Sequence, residues 1–421
     1  MGQTLSEPVT AKETTMCQSS AYNVASCAMQ GWRISMEDSH IHLLEMPSDK
    51  NAAFFAVYDG HGGARVSQFA GLHLHKRIFG NEEYKNNDIA AAIKAGFLKL
   101  DDDLRDDEET KEQMCGTTAI TVLIKDNKIY CGNCGDSRAV ISKKGCAVPL
   151  SYDHKPNNES EMARIQAAGG WVDAGRVNGN LALSRALGDF VFKNNSTLDA
   201  EEQIVTALPD VIEMELTDDH EFIVLACDGI WDVLSNQQVV DYCRDRLAHG
   251  ATPETVCEEV VDRCLAPDCE LSGVGCDNMT IVLVCLTRDL DNDAFIKRLQ
   301  REPEKRQLSD EHESETEDMS KQIAQTLQID SQNWSAVPTS TSTETPATNT
   351  KPVDDTSSTS TNTTESFVTP SESPDTTNNV SATEECKLVI QHVEDDSPPT
   401  EFVVITNRQA AEQEPDPRRV L

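Results

Sequence analysis

The chain has 421 residues, 38% of them hydrophobic, with 72 acidic against 36 basic side chains and a formal net charge of −36. Such a surface repels phosphodiester backbones and excludes charge-driven binding of nucleic acid. The longest apolar runs fall short of the roughly 20 residues that a membrane-spanning helix needs, and the length suits one large domain with extensions or two to three ordinary domains.

In chain order, Met1-Gly2-Gln3-Thr4-Leu5-Ser6 fits the acceptor pattern for N-myristoylation at Gly2. A single acyl chain with no polybasic patch beside it predicts only weak, reversible membrane association. Residues 1–16 are expected to be a flexible N-terminus. A folded region over 17–290 alternates apolar runs with turn signals. Its predicted strands are Ala52 to Tyr58, Thr117 to Ile124, Lys128 to Cys131, Ala139 to Ser142, Glu221 to Cys227 and Met279 to Leu286. Between them the spacing predicts helices over Ala64 to Phe79, Ile89 to Leu104, Asn158 to Ala168, Asn236 to Leu247 and Pro253 to Leu265.

A charged, partly helical extension follows over 291–334, with helical patterns at Asp293 to Gln300 and Met319 to Leu327. Residues 335–421 form an acidic tail. Of the 51 residues from 335 to 385, 25 are Ser or Thr, a composition that buries too little apolar area to offset chain entropy and predicts disorder. Two apolar runs interrupt it, Leu388-Val389-Ile390 and Phe402-Val403-Val404-Ile405, which are candidate docking strands for a regulatory partner.

The 14 scattered cysteines and the absence of a secretory h-region predict free thiols in a reducing compartment. The location expected is therefore cytoplasmic or nuclear, with peripheral membrane association if Gly2 is acylated. Cys131 and Cys134 form a lone C-x-x-C, and Cys264, Cys269 and Cys276 cluster loosely. Neither completes a zinc site, and all read as ordinary thiols.

Two strands that read as buried on both faces end alike. Phe54-Phe55-Ala56-Val57-Tyr58 runs into Asp59-Gly60, and Phe222-Ile223-Val224-Leu225-Ala226-Cys227 runs into Asp228-Gly229. A carboxylate at the mouth of an apolar strand is held rigidly and partly desolvated, which is costly without a cation. The glycine after it allows a sharp turn and offers a backbone carbonyl. Glu37, Asp38, Asp136 and Asp277 add further oxygen donors with no accompanying His/Cys set, which selects Mg²⁺ or Mn²⁺ over zinc or copper.

Eight motifs stand in order over about residues 22–287. They are Arg33…Glu37-Asp38, Asp59-Gly60-His61-Gly62-Gly63, Cys115-Gly116-Thr117-Thr118-Ala119, Gly135-Asp136-Ser137-Arg138, Asp153-His154-Lys155-Pro156, the run Arg176 to Asp189, Asp228-Gly229-Ile230-Trp231-Asp232, and Asp277-Asn278. The series resembles the protein phosphatase 2C (PPM) family of metal-dependent serine/threonine protein phosphatases. The resemblance implies a β-sandwich of two antiparallel sheets flanked by helices on both faces, an α+β fold. This agrees with the strands Thr117 to Ile124 and Lys128 to Cys131, whose short connection reads as a hairpin, and with the long helices read above. It makes 17–290 a catalytic phosphatase domain.

By the same resemblance, Asp59 bridges two cations and the Gly60 carbonyl binds the second. Asp228 and Asp277 hold the first, Glu37 holds the second, and Asp38 orients water from the outer shell. Asp136 belongs to a weaker third site shared with Asp228, Arg33 clamps phosphate, and His61 is the general acid. Phosphoserine and phosphothreonine in phosphoprotein substrates would be hydrolysed by direct attack of a hydroxide bridging two divalent cations, with no covalent phosphoenzyme. The competing reading is a catalytically silent pseudophosphatase that only binds phosphoproteins. Arg164, Arg176 and Arg185 lie in an expected flap beside the site, with Arg185 read as an anchor.

Overall fold

A computed structural model describes residues 4–107, 110, 114–269, 273–303 and 404–405. These belong to one unit, comprising Met1–Gln328 and Pro398–Leu421. The strands begin with β1 (Thr4–Gln18), β2 (Tyr22–Arg33), β3 (Ser39–Leu43), β4 (Ala52–Tyr58), β5 (Gly60–His61) and β6 (Gly116–Thr117). They continue through β7 (Ala119–Lys125), β8 (Lys128–Cys134), β9 (Arg138–Lys143), β10 (Cys146–Pro149), β11 (Val172–Asp173) and β12 (Arg176–Val177). Last come β13 (Leu187–Gly188), β14 (Asp210–Glu215), β15 (His220–Ala226), β16 (Met279–Leu286) and β17 (Val404–Ile405).

Two six-stranded antiparallel sheets carry the fold, ordered β1-β2-β16-β15-β9-β10 and β14-β8-β7-β4-β3-β17. Alternation along the central strands explains why they read as unbroken apolar runs. In β4, Phe55 and Val57 enter the layer between the sheets, where they meet Ile223, Leu225, Val282 and Val284. Phe54, Ala56 and Tyr58 point the other way, toward α1 (Arg65–Gly80) and α3 (Ile89–Arg105). In β15, Phe222, Val224 and Ala226 meet helices Asn236–Ala248, Pro253–Cys264 and Asn292–Leu299. Three apolar layers separate four layers of structure, so both faces of both sheets must be apolar. The α-β-β-α sandwich expected from the resemblance is the one observed.

Several local expectations change. Residues 4–16, read as a flexible N-terminus, form most of β1, which pairs with β2 from Thr4↔Arg33 to Gln18↔Asn23. Its side chains are mostly polar and exposed. An edge strand needs only a partner's backbone, so no hydrophobic pattern announces it. The helix Asn292–Leu299, placed in the charged extension, packs Phe295 and Leu299 into the core, so the folded body runs past residue 290. Cys269 and Cys276, read as free thiols, are disulfide-bonded with Cα atoms 6.0 Å apart, a separation within the usual range for a bridge. Cys131 and Cys134 are free and buried. Gly2, the pattern Met319 to Leu327 and the Ser/Thr-rich stretch lie outside the described residues, where no helix is long and apolar enough to cross a membrane among those that are described.

Phe55 is fully buried at the centre of the layer between the sheets. Phe55→Ala should cost about 3–5 kcal/mol of stability, read as a lowered urea midpoint with an unchanged denaturant slope.

Candidate active site

One end of the sandwich collects the acidic residues, and both sheets supply them. Asp59 follows β4, and Asp228 opens the short helix Asp228–Trp231 after β15. Asp277 precedes β16, Glu37 and Asp38 lie between β2 and β3, and Asp136 lies between β8 and β9. Antiparallel register puts these points together: Ser39 pairs with Tyr58, and Ala226 with Ile281.

Oxygens of Asp38 and Asp59 and the sulfur of Cys227 lie within 4.8 Å of one another. Burial, followed by the charges of Asp228, Asp38, Asp277 and Asp136, raises the pKa of Asp59 well above the carboxylate range. Burial and then Asp136, Asp277 and Asp232 do the same to Asp228. Asp38 is pushed up to about 7, chiefly by burial, against a 2.6 Å hydrogen bond donated by Thr280 Oγ1 to its Oδ2. Its Oδ1 is buried without a well-formed hydrogen bond.

Crowded, desolvated carboxylates of like charge with an orphaned oxygen are a poor arrangement for a protein alone and a suitable one for a divalent cation. The donor set is carboxylate oxygen, which fits Mg²⁺ or Mn²⁺. Cys227 is a weaker candidate. Burial first, and then the neighbouring acids, hold it as the neutral thiol, and its sulfur already accepts from Thr280 N at 3.1 Å.

The backbone around Asp59 is fixed by Thr118, whose N–H donates to the Asp59 carbonyl at 2.9 Å and whose Oγ1 accepts from Asp59 N at 3.2 Å. Gly60 is required by close approach, since a Cβ there would lie 2.9 Å from Ser67 Oγ and closer still to the Glu37 carbonyl. Glu37 accepts from Ser35 Oγ at 2.7 Å and from Gly63 N at 3.1 Å. Asn278 fastens this segment to β16: its Oδ1 accepts from Glu37 N at 2.9 Å, and its Nδ2 donates to the carbonyls of Gln30 and Ser35.

Arg33, expected to face phosphate, is half-buried and donates through Nη2 to Asp277 Oδ2 at 2.5 Å. Asp136 is buried and paired with Lys155. The expected site residues therefore converge on one end of the fold, and Arg33 and Asp136 are reached through cationic pairs that the motifs did not foretell.

His61 has a partner that residue-by-residue reading missed. The small sheet β13-β6-β5 aligns His61 with Gly116 and Gly116 with Gly188. That places His61 Nε2 2.6 Å from Asp189 Oδ2. A side chain at Gly116 would lie 2.8 Å from His61 Nε2 and nearer to Asp189 Oδ2, so glycine is the residue that permits the pair. Burial alone would lower the His61 pKa, but the Asp189 charge and hydrogen bond outweigh it and raise it. Asp189 has φ +52° and its N–H donates to Cys115 O at 2.9 Å. The left-handed backbone at Asp189 is a property of the fold, and local sequence carried no signal for the pair.

Beside the site, Arg185 is the anchor that its apolar context suggested. It bonds both oxygens of buried Glu161, the Leu208 carbonyl and Asp210. Arg164 bonds Glu161 Oε2 at 2.7 Å and the Ser184 carbonyl, while exposed Arg176 donates to the Asn180 carbonyl.

The comparisons with known proteins bear on this geometry. A family model described as Protein phosphatase 2C matches residues 22–273. A protein named "Probable protein phosphatase 2C" from Caenorhabditis elegans is 60% identical over 301 residues, covering 72% of this chain and 85% of that one. Protein phosphatase 2C homolog 3 of Schizosaccharomyces pombe is 50% identical over 302 residues, 71% of this chain and 73% of its own. Among solved structures, a phosphatase from a pathogenic strain of Toxoplasma gondii superposes with TM-score 0.57 at 27% identity, covering 66% of this chain and 96% of its own. A C. elegans sex determining protein shares the fold at TM-score 0.56 and 22% identity, over 68% of this chain and 69% of that one.

Sandwich, acidic end and relatives together define a protein serine/threonine phosphatase. The chain belongs to the protein phosphatase 2C family.

Glu161 supplies a pH test of the flap's anchor. Burial would raise its pKa, but Arg185 and Arg164 outweigh that and bring it to about 2. A depressed carboxylate contributes stability above its unfolded pKa, about 4.3, and loses it as pH falls toward 2. Glu161→Gln should lower stability at pH 7 by about 3 kcal/mol, because two arginines lose a buried partner. The deficit should shrink as unfolding is measured at pH 4 and below.

Proposed function

We propose that this chain hydrolyses phosphoserine and phosphothreonine in proteins with the help of two divalent cations held at the acidic end of the sandwich. The observation that supports it most strongly is the cluster of desolvated, mutually repelling carboxylates around Asp59. Asp59, the Gly60 carbonyl, Asp228, Asp277 and Glu37 would hold the cations, with Asp136 contributing to a weaker third position. Mg²⁺ or Mn²⁺ bound there would supply a water activated for in-line attack and neutralise charge on the phosphoryl group.

The remaining steps belong to side chains. Arg33 donates to phosphoryl oxygens with guanidinium N–H groups that its Asp277 bond leaves available, orienting the ester. Asp38 orients water through its unpartnered Oδ1. His61, whose protonated form the Asp189 carboxylate favours, donates the proton that the departing seryl or threonyl oxygen needs. Asp189 acts through His61 and is a positioning residue. Cys227 remains a neutral thiol, which argues against a phosphocysteine route.

A silent phosphoprotein binder would keep the fold without needing this set of carboxylates, and the intact set favours the enzyme. Its substrates are phosphoproteins. Acylation at Gly2, with the reversible membrane contact it would bring, belongs to the same proposal, as does a cytoplasmic or nuclear location.

Purified full-length protein should release phosphate from a phosphothreonine peptide with Mg²⁺ or Mn²⁺ and stop in excess chelator. Asp228→Asn should abolish turnover even in excess metal. An inactive wild-type protein that still binds the phosphopeptide would decide for the silent reading. His61→Gln should reduce kcat on the phosphothreonine peptide by about 10²–10⁴-fold. It should reduce kcat much less on p-nitrophenyl phosphate, whose leaving group needs no proton. Asp189→Asn should show the same contrast more weakly; equal losses on both substrates would refute the acid role.

A further inference from the structure

The outer edge of β3 has an occupant from the far end of the chain. Val404 pairs antiparallel with Ile41, and Ile405 with His40. Without these two residues β3 would be the terminal strand of its sheet. A terminal strand offers a row of unpaired N–H and C=O groups to any extended segment. Val404 and Ile405 belong to Phe402-Val403-Val404-Ile405, an apolar run in a stretch otherwise rich in polar residues.

β3 depends on its edges more than its neighbour does. All five of its residues are buried, but two of those facing the layer between the sheets are histidines. His40 Nε2 is 3.0 Å from Ser26 Oγ, and His42 contacts Thr15 Oγ1 at 3.0 Å and Cys17 Sγ at 2.9 Å. These polar contacts replace the aliphatic packing that β4 enjoys. β3 also begins at Ser39, directly after Asp38, and Ser39 pairs with Tyr58, directly before Asp59. The edge strand thus adjoins one site carboxylate and lies one strand away from another.

We propose that the outer edge of β3 is a strand-docking site for the chain's own residues Val404 and Ile405, and that docking holds the Glu37–Asp38 segment in place against Asp59. The mode is strand addition, in which backbone hydrogen bonds give binding and alternate side chains give selectivity. So short a ladder is weak between separate molecules; covalent attachment makes the contact intramolecular and sustains it. The effect on Asp38 rests on the metal-site reading above, whereas docking itself does not.

Hydrogen exchange of the full-length chain, read on peptides covering Ser39–Leu43, tests docking without reference to catalysis. In a Val404→Pro/Ile405→Pro variant the outward-facing amides should exchange at least tenfold faster. A synthetic peptide of residues 400–407 at millimolar concentration should restore protection. The parallel variant Val389→Pro/Ile390→Pro, in the other apolar run, should leave exchange as in the wild type. Wild-type rates in the first variant, or equal acceleration in both, would overturn the proposal. The coupling to Asp38 is read separately, from the Mn²⁺ concentration that half-saturates the thermal shift. It should rise severalfold in the first variant, and an unchanged value beside accelerated exchange would overturn the coupling. A wild type that Mn²⁺ does not stabilise at all would instead refute the metal-site reading and leave docking to stand on exchange alone.

Discussion

Repulsion among carboxylates gathered at one end of the sandwich is the constraint to which the rest of the structure answers. Asp38, Asp59 and Asp228 are each driven toward the protonated form by burial and then by neighbouring carboxylates, Asp277 being common to all three. A chain left to itself would spread such groups into water. This one holds them in position with neutral donors and backbone ties: Thr118 on Asp59, Thr280 on Asp38, and Asn278 between Glu37 and β16. None of these neutralises the charge. The surrounding structure supplies rigidity and leaves the electrostatic deficit open, which is the condition under which a divalent cation binds firmly. The glycines follow from the same demand, since Gly60 and Gly116 permit approaches that a side chain would block.

The sandwich makes this rigidity possible because each central strand is clamped between two apolar layers. β4 and β15 deliver their terminal aspartates from opposite sheets, and every residue along both strands is buried. Register errors are therefore expensive, as a one-residue slip would exchange the two apolar faces and displace the acid. The outer helices complete the arrangement and keep either sheet from twisting independently of its partner.

Much of this was legible in the sequence. The ends of β4 and β16 coincide with the apolar runs, because strands buried on both faces advertise themselves by composition. The Asp-Gly pairs after β4 and β15 marked the site, and the order of motifs marked the family. What escaped notice had no side-chain signature. β1 is held by backbone pairing, with a polar, exposed sequence. β3 hides behind its histidines, and β14 alternates polar residues across a mostly exposed face. Asp189 lies 128 residues from His61 and meets it only through the small sheet. Lys155 reaches Asp136 from beyond strands β9 and β10. Pairings of that kind are properties of topology, which local spacing does not record.

That the acids come from both sheets has a mechanical consequence. Any sliding of one sheet over the other changes the aperture between Asp59 on one side and Asp228 on the other, so the dry layer that separates them works as a spacer gauge. The thickness of that layer is set by Phe55, Val57, Ile223 and Leu225, all far from solvent. The separation of the two carboxylates can then be tuned by residues that touch neither, so a change in this interior layer would be felt at the acidic end as well as in the stability of the fold.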